Sequence, residues 1–256
     1  MDIGKIQKNL KSKLFSENLL IYNSVESTNK TAKENSHLPE GTVFIANTQT
    51  AGRGRMQREW CSEENSGIYM SILIKPQIEA ENIPCLTLLA GLAVCSALTK
   101  AGIPDVGIKW PNDIVADGKK VSGILSELSG TNTVVIGIGI NVNNKSFPDE
   151  ISDKATSLAL LSNKPFEREP IIAMVLDEFE GYYNLFLKDG FSAIKDEYEK
   201  NCITVGKACR IITPKGEYDA EATGIGENGE LEILRNGQVE KISSGEVSVR
   251  GILGYI

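Results

Sequence analysis

The pattern of apolar and polar positions over residues 1–202 predicts an alternation of helices and strands. Apolar residues recur at helical spacing near the start of the chain and at 171–187, and a long apolar run at 84–98 predicts a third helix. Ser27 is a natural N-cap for a short helix after it. Short runs of β-forming residues predict strands at 19–22, 42–46, 68–75, 106–110, 114–116, 121–128 and 134–143. The pattern therefore predicts an α/β fold of the α+β type, with a mixed, largely antiparallel sheet backed by helices.

The pattern of apolar and polar positions changes after Cys202 and predicts a second, smaller unit. Five short strand segments follow at nearly regular spacing, and turns that contain glycine separate them. Such spacing is typical of a small β-barrel of SH3-like size. We therefore expect a domain that carries the chemistry over residues 1–202 and a C-terminal SH3-like β-barrel domain over 203–256.

The apolar run at 84–98 raises the question of a membrane span. It is shorter than the ~20 apolar residues that a spanning helix needs, and Thr87, Gly91 and Ser96 interrupt it. A core helix is the better interpretation, so no membrane association is expected. The first residues are polar and charged, unlike the apolar region of a signal peptide, and we expect a cytoplasmic protein.

Composition narrows the chemistry that the chain can carry. The net charge of −7 argues against a protein whose main task is to hold nucleic acid. His37 is the single histidine, so zinc sites built on several histidines are excluded, and its polar surroundings predict an exposed loop. The five cysteines form no CxxC pair, so neither a disulfide framework nor a zinc knuckle is expected. Catalysis would have to rely on Lys, Arg, Asp, Asn and backbone groups.

The first segment that could carry chemistry is the stretch 49–60, which is rich in glycine and arginine. Glycine lets backbone N–H groups approach an anion, and arginine adds charge-assisted hydrogen bonds, so the stretch suits phosphate. By itself it is also compatible with an exposed basic loop or with a flexible RNA-binding segment.

Two further segments combine unusual residue types. Lys109–Asp113 places a cation, an aromatic ring, an amide and a carboxylate within five residues. It could bind a nucleotide with the ring stacked on the base, although a tight turn with Trp110 in the core explains the same residues. Lys119–Leu125 and Gly137–Asn143 are strands that contain glycines, which permit close approach of another group. They could wall an apolar slot with a positive mouth, and ordinary bulges are the alternative.

In this order, the segments resemble the catalytic core of the biotin protein ligases, enzymes that attach biotin to carrier domains of carboxylases. The resemblance rests on STN at 27–29, GRGRMQREW at 52–60, KWPNDI at 109–114, KVSGIL at 120–125, GIGINVN at 137–143 and GEVSVR at 245–250. It extends over nearly the whole chain. No stretch resembles the winged-helix domain of the ligases that double as repressors, so the shorter, monofunctional kind is the expectation.

The resemblance implies roles for individual residues. It places biotin against Ser27, Thr28, Asn29, Gln49, Gly52, Arg53, Gly54, Arg55, Lys120, Gly123 and Gly139, with Gly137 beside them. It places ATP and the adenylate against Arg53, Arg55, Trp60, Lys109, Asn112, Asn141 and Arg250. The candidate catalytic residues are Lys120, Arg55 and Asp113, and the ligands of a metal ion are left open.

The reaction that the resemblance implies has two steps. The biotin carboxylate attacks the α-phosphate of ATP, with Mg²⁺ shielding the pyrophosphate, and a lysine of a biotin carboxyl carrier domain then attacks the biotinyl-5′-AMP. The carrier would belong to a biotin-dependent carboxylase or decarboxylase; no DNA partner is expected, and a homodimer is left open. The alternatives are a lipoate–protein ligase of the same fold and a non-enzymatic regulatory or nucleic-acid-binding module.

The chain departs from the family pattern at Gln57, where the pattern GRGR-x-GR-x-W has glycine. If the backbone takes a positive φ there, glutamine is strained and the loop could close differently. Arg53, Arg55, Arg58 and Trp60 are retained, so we expect an altered loop rather than a lost activity.

Overall fold

The computed structural model of the chain describes residues 1–213, 216–245 and 247–251. The first sheet contains β1 (Leu19–Val25), β2 (Val43–Gln49), β3 (Ile68–Ile74), β4 (Val106–Lys109), β5 (Asp113–Ala116), β6 (Lys119–Leu128) and β7 (Val134–Ile140). The helices are α1 (Ile3–Asn9), α2 (Thr28–Glu34), α3 (Cys85–Lys100), α4 (Leu158–Ser162), α5 (Arg168–Asp189) and α6 (Ser192–Asn201). The second sheet contains β8 (Ala208–Thr213), β9 (Gly216–Ile225), β10 (Leu231–Arg235), β11 (Gln238–Ile242) and β12 (Ser248–Gly251).

The first sheet has the strand order β1-β2-β3-β7-β6-β5-β4. β1 and β2 are parallel and the other neighbours are antiparallel, which confirms the predicted mixed, largely antiparallel sheet. The register sets Gly123 opposite Gly139 and Ser71 opposite Gly137. Because side chains alternate between the two faces of a sheet, these four small residues gather on one face at its centre. That face can therefore be approached closely.

Helices α3 and α5 form an apolar layer against the sheet. α3 is buried along most of its length, and α5 buries a stripe that includes Val175, Phe179 and Tyr183. The helical segment 80–100 is long and apolar enough to cross a membrane, but 67% of its apolar window is buried inside the protein. The predicted core helix is confirmed.

The short helices α4 and α6 are not predicted by the sequence pattern. α6 buries only Ile194 and Tyr198, so its apolar periodicity covers a single turn.

His37 is exposed in a turn, as predicted, and Cys85 and Cys95 are free, buried core residues. Trp110 is 1% exposed and donates its indole N–H to Gly229 O over 3.1 Å. Of the two interpretations of this ring, packing in the core is confirmed, because a buried ring cannot stack on a base.

The C-terminal unit is an antiparallel sheet in the order β11-β10-β9-β8-β12. The five predicted strands are present, but β11 and β12 do not pair within the described residues, so no closed barrel forms there. The spacing of short strands predicts their number and not whether the first and last strands meet. The predicted boundary at 202/203 falls between α6 and β8. Residues 252–256 of the predicted domain lie outside the described residues.

Candidate active site

Two cavities adjoin on the glycine-bearing face of the first sheet. The narrow cavity lies between the start of α2, the loop 52–60 and strands β3, β6 and β7, and its free volume is about 50 Å³. The wide cavity, about 780 Å³, lies between that loop, the β4–β5 connection and the C-terminal sheet. Both cavities are lined by Gly54, Arg55, Trp60, Asn112 and Lys120. A ligand that spans both cavities would have its middle at these junction residues.

The predicted site residues divide between the two cavities. The narrow cavity is lined by Ser27, Thr28, Asn29, Gln49, Arg53, Gly123, Gly137 and Gly139, and the wide one by Lys109, Asp113, Asn141 and Arg250. Gly52 lines neither. A Cβ there would lie 2.6 Å from the Trp60 carbonyl oxygen and 2.9 Å from Gln49 Nε2. Glycine at this position therefore lets the loop pack closely.

The Trp60 ring lies in the glycine-lined part of the narrow cavity. A Cβ on Gly139 would lie 2.5 Å from this ring, and a Cβ on Gly123 would lie 2.9 Å from it. The resemblance places Trp60 at the adenylate end, whereas the structure also places its ring over the slot, which explains the small free volume. Its buried indole N–H finds no hydrogen-bond partner among the described residues.

The side of the narrow cavity formed by α2 is polar. Thr28 donates its backbone N–H to Gln49 Oε1 over 2.8 Å, and Gln49 Nε2 donates to Ser62 Oγ over 2.9 Å. These two bonds fix the orientation of the Gln49 amide. Ser27 occupies the N-cap of α2, as predicted, but its hydroxyl makes no cap hydrogen bond with the described residues. A helix cap that does not use its side chain leaves that hydroxyl available to a ligand.

Two residues behind this polar side are missed by the sequence analysis. Ser71 is fully buried in β3, and its Oγ lies 2.6 Å from Asn29 Oδ1. Glu127 in β6 accepts a hydrogen bond from Asn29 Nδ2 over 2.8 Å. A serine inside an otherwise apolar or aromatic strand was a usable signal for Ser71. Glu127 carried none, because it lies near the exposed end of its strand.

Lys120 and Asp113 form an ion pair at the junction. Lys120 Nζ lies 2.6 Å from Asp113 Oδ1 and 5.4 Å from the centre of the Trp60 ring. Asn112 Nδ2 donates to the same carboxylate oxygen over 3.0 Å. The ammonium is thus held in place before any ligand charge develops, which is the arrangement that stabilises a transition state most effectively.

Arg55 connects the loop 52–60 to the C-terminal sheet. Its Nη1 donates to Asn112 Oδ1 over 2.9 Å. Its Nη2 contacts the carbonyl oxygens of Ser244, Gly245 and Val247 at 2.6, 2.8 and 3.0 Å. The structure therefore shows Arg55 holding the loop against the β11–β12 connection, a role that the sequence did not indicate.

The loop 52–60 contains two residues with a left-handed backbone. Met56 has a φ of +55° and Gln57 a φ of +58°. L-residues with a side chain rarely adopt this conformation, and glycine does so without strain. The sequence analysis expected strain at Gln57 if the backbone takes a positive φ there. The backbone does take a positive φ, at a position where the family pattern has glycine. Arg53, on the same loop, is 66% exposed at its side chain and lies 3.7 Å from Glu26.

The wide cavity carries positive charge on its inner wall. Lys109 is 7% exposed, and burial lowers the pKa of its ammonium to about 8; Asp113 opposes this shift, whereas Lys120 and Arg250 add to it. Asn141 is also buried and donates to Thr156 O over 3.1 Å. Cations grouped at one wall suit a ligand with several negative charges. Within the described residues no group of three or more His, Cys, Asp or Glu side chains could hold a metal ion.

Comparisons with known proteins agree with this geometry. The Biotin/lipoate A/B protein ligase family matches residues 21–143, and the Biotin protein ligase C terminal domain matches residues 204–250. A bifunctional ligase/repressor BirA of Bacillus subtilis is 39% identical over 254 residues, which cover 96% of this chain and 78% of that protein. A biotin–[acetyl-CoA-carboxylase] ligase of Mycobacterium tuberculosis is 32% identical, with 81% of this chain and 79% of that protein covered.

A solved structure shows the same arrangement of elements. The biotin protein ligase from Aquifex aeolicus in complex with biotin and ATP has a TM-score of 0.85 and 34% sequence identity. The match covers 92% of this chain and 99% of that one. Sequence identity above 30% over most of the chain, two matching family profiles and a shared fold lead to one conclusion: the chain belongs to the biotin protein ligase family.

Proposed function

We propose that the chain activates biotin as biotinyl-5′-AMP and transfers the biotinyl group to a lysine of a biotin carboxyl carrier domain. The observation that carries the proposal is the junction, where Lys120, Asn112 and Arg55 line both cavities. Biotin in the narrow cavity would direct its carboxylate to Lys120, and ATP in the wide cavity would direct its α-phosphate to the same ammonium. The Aquifex aeolicus relative in complex with biotin and ATP supports this choice of ligands.

The polar side of the narrow cavity favours biotin over lipoate. Ser27, Thr28 and Gln49 present hydroxyl and amide groups that match the C=O and N–H groups of a cyclic urea. The dithiolane of lipoate has neither group and would leave them unpaired, which is costly in a buried site. Small-molecule sites usually measure roughly 300–1,000 Å³, so we expect the Trp60 ring to move off Gly123 and Gly139 when biotin enters.

In the first step two anions must meet. An oxygen of the biotin carboxylate bonds to the α-phosphorus, and the bond to the bridging oxygen breaks, releasing pyrophosphate. Lys120 stabilises the charge that accumulates at the α-phosphate, and Lys109 and Arg250 face the remaining phosphates. The loop that Arg55 holds excludes water, which would otherwise hydrolyse the adenylate.

In the second step the amine of the carrier lysine attacks the biotinyl carbonyl, and AMP leaves. The amine must first lose its proton, because an ammonium has no lone pair to attack with. Asp113 lies at the junction, where Lys120 fixes its carboxylate at 2.6 Å. It is thus placed to orient the amine and to take its proton.

Mg²⁺ fits the residues at the wide cavity without a dedicated protein cage. Asp117 lines that cavity and offers carboxylate oxygens, whereas the carboxylate of Asp113 is paired with Lys120. Mg²⁺ is commonly held by one or two carboxylates together with substrate phosphates. When bound with ATP it supplies charge that shields the departing pyrophosphate.

The partners follow from the same reaction. The acceptor would be the carrier domain of a biotin-dependent carboxylase or decarboxylase, and the chain would act in the cytoplasm. The two steps involve neither DNA nor a membrane, and they proceed in the same way in a monomer or a homodimer.

A thermal-shift panel with biotin, lipoate and ATP tests the ligand assignment. A ligand that binds only the folded state raises the melting temperature by mass action. We expect biotin and ATP to raise it and lipoate to leave it unchanged. Stabilisation by lipoate and not by biotin would favour the lipoate–protein ligase. Salt-sensitive DNA binding in a gel shift would favour the alternative of a non-enzymatic regulatory or nucleic-acid-binding module.

The burial of Lys109 predicts a pH dependence of ATP use. Its pKa of about 8 means that the ammonium is present at lower pH and is lost as the pH rises through that value. We expect kcat/KM for ATP to fall between about pH 7 and about pH 9, because kcat/KM reports the free enzyme. Lys109→Arg keeps its charge over this range and should flatten the profile. Identical profiles for the variant and the parent would contradict the assignment.

The positive φ at residue 57 predicts a benefit from glycine. Gln57→Gly should retain biotinyl-5′-AMP at least as long as the parent, because glycine relieves about 1 kcal/mol of backbone strain in the closed loop. Gln57→Ala shortens the side chain and keeps the strain, so it should match the parent. The measurement is the rate of adenylate release in a stopped-flow chase. A markedly faster release from Gln57→Gly alone would show that the strain does not oppose closure.

A further inference from the structure

Ser71 lies behind the narrow cavity and does not line it. Its side chain is completely buried at the centre of the sheet, and its Oγ contacts two residues that do line the cavity. Ser71 Oγ lies 2.6 Å from Asn29 Oδ1 and 2.7 Å from Thr28 Oγ1. Both contacts are short enough for strong hydrogen bonds. A serine hydroxyl has a single hydrogen, so it can donate to only one of them.

The orientation of Asn29 decides which of the two receives the hydrogen. Asn29 Nδ2 donates to Leu125 O over 3.1 Å and to Glu127 Oε2 over 2.8 Å. Both of these partners only accept, so the amide nitrogen must point to them and the amide oxygen must point to Ser71. Asn29 Oδ1 cannot donate, and Ser71 therefore donates to it.

Glu127 strengthens this orientation because it is charged. Its other oxygen accepts from Lys33 Nζ over 2.7 Å. Burial raises the pKa of Glu127, but the hydrogen bonds from Lys33 and Asn29 outweigh that effect and lower it below its ordinary value. Lys33 and Asn29 both lie on α2, so the carboxylate also anchors that helix to β6.

The direction of the remaining bond follows from the first two. Ser71 has used its hydrogen on Asn29, so Thr28 donates its own hydrogen to Ser71 Oγ over the 2.7 Å contact. A second possible acceptor, Gln49 Oε1, lies farther from Thr28 Oγ1, at 3.2 Å. The Thr28 hydroxyl then keeps lone pairs and no hydrogen for the cavity.

We infer that Ser71, with its partners Asn29 and Glu127, is a positioning residue that turns the Thr28 hydroxyl into a fixed acceptor for an N–H group of the ligand ring. The inference rests on the proposed function, since biotin supplies such an N–H from its urea. A hydroxyl that is free to rotate would accept or donate and would discriminate little. The chain of hydrogen bonds removes that freedom.

The test compares biotin with two analogues, each methylated at one urea nitrogen, by calorimetric measurement of Kd. Ser71→Ala should weaken biotin binding about tenfold, the effect of one net hydrogen bond. One of the analogues lacks the N–H that would donate to Thr28, so the parent should bind it more weakly than biotin. In Ser71→Ala this difference should shrink, and the ratio of the analogue's Kd to the Kd of biotin should fall about tenfold. The Kd for ATP should not change.

Two further variants separate this role from a structural one. Ser122→Ala is the matched control, because Ser122 is equally buried in the same sheet and its hydroxyl has no partner among the described residues. It should bind biotin like the parent. Glu127→Gln keeps the shape of the side chain and removes its charge. We expect it to weaken biotin binding less than Ser71→Ala does, with the same dependence on which urea nitrogen is methylated. This variant keeps the inference testable even if Ser71→Ala folds poorly.

The outcomes are distinguishable. If Ser71→Ala and Glu127→Gln bind biotin like the parent, or lose biotin and both analogues by equal factors, Ser71 does not set the direction of Thr28 and the inference is overturned. If the parent itself does not bind biotin, the proposed function fails first.

Discussion

Replacing Lys120 with alanine should slow the exchange of pyrophosphate into ATP in the presence of biotin by about a hundredfold to a thousandfold, the usual effect of losing one preorganised group that stabilises developing charge. Lys120 lines both cavities, and Asp113 holds its ammonium in place. The repulsion between carboxylate and α-phosphate is greatest as the new bond forms, so the ammonium stabilises the transition state more than the separate substrates. The loss should therefore appear in kcat as well as in KM.

The matched control for Lys120→Ala is Lys188→Ala. Lys188 is a 79% exposed lysine of α5 that lines neither cavity, so its loss changes the net charge and leaves the junction intact. It should exchange pyrophosphate like the parent. If Lys120→Ala exchanges pyrophosphate at the parental rate, Lys120 does not take part in the reaction.

Replacing Arg55 with alanine should speed the escape of biotinyl-5′-AMP by about tenfold to a hundredfold while slowing its formation less. The guanidinium binds Asn112 and three carbonyl oxygens, so its removal frees the loop 52–60 from the C-terminal sheet. Hydrogen bonds to a charged group contribute about 1.5–3 kcal/mol, and each 1.4 kcal/mol corresponds to a factor of ten. The loop then opens more often and releases the adenylate.

The readout is the labelling of exposed lysines on a bystander protein, which reports adenylate that has left the enzyme. Arg210→Ala serves as the control, because Arg210 pairs with Asp219 on the surface of the C-terminal sheet and lines neither cavity. It should label bystanders no more than the parent does. Equal bystander labelling by Arg55→Ala and the parent would show that Arg55 does not hold the loop closed.

Local sequence signals predicted the parts of the site that depend on neighbouring residues. Glycines inside two strands indicated a face that another group approaches closely, and Gly123 and Gly139 do lie opposite each other beneath the Trp60 ring. A positive charge was expected at the mouth of that slot, and Lys120, near the start of β6, lies there. Strand period and turn chemistry suffice for such predictions, because they act over a few residues.

The parts that could not be predicted depend on contacts between distant segments. Ser71 meets Asn29 across 42 positions of sequence, and Asn29 meets Glu127 across 98. The partners of Arg55 in the β11–β12 connection lie nearly 190 positions away. The Trp60 ring was expected at the adenylate end, but its position over the slot depends on how the loop folds back onto β6 and β7. No local pattern encodes these contacts.

The most direct test of the proposed reaction is the intact mass of a biotin carboxyl carrier domain after incubation with the protein, biotin, ATP and Mg²⁺. We predict that the carrier gains the mass of one biotinyl group on a single lysine. It should gain nothing when ATP is omitted, when lipoate replaces biotin, or when that lysine is changed to arginine. A carrier that stays unmodified with biotin, or that gains a lipoyl group instead, would contradict the assignment of this chain as the enzyme that biotinylates it.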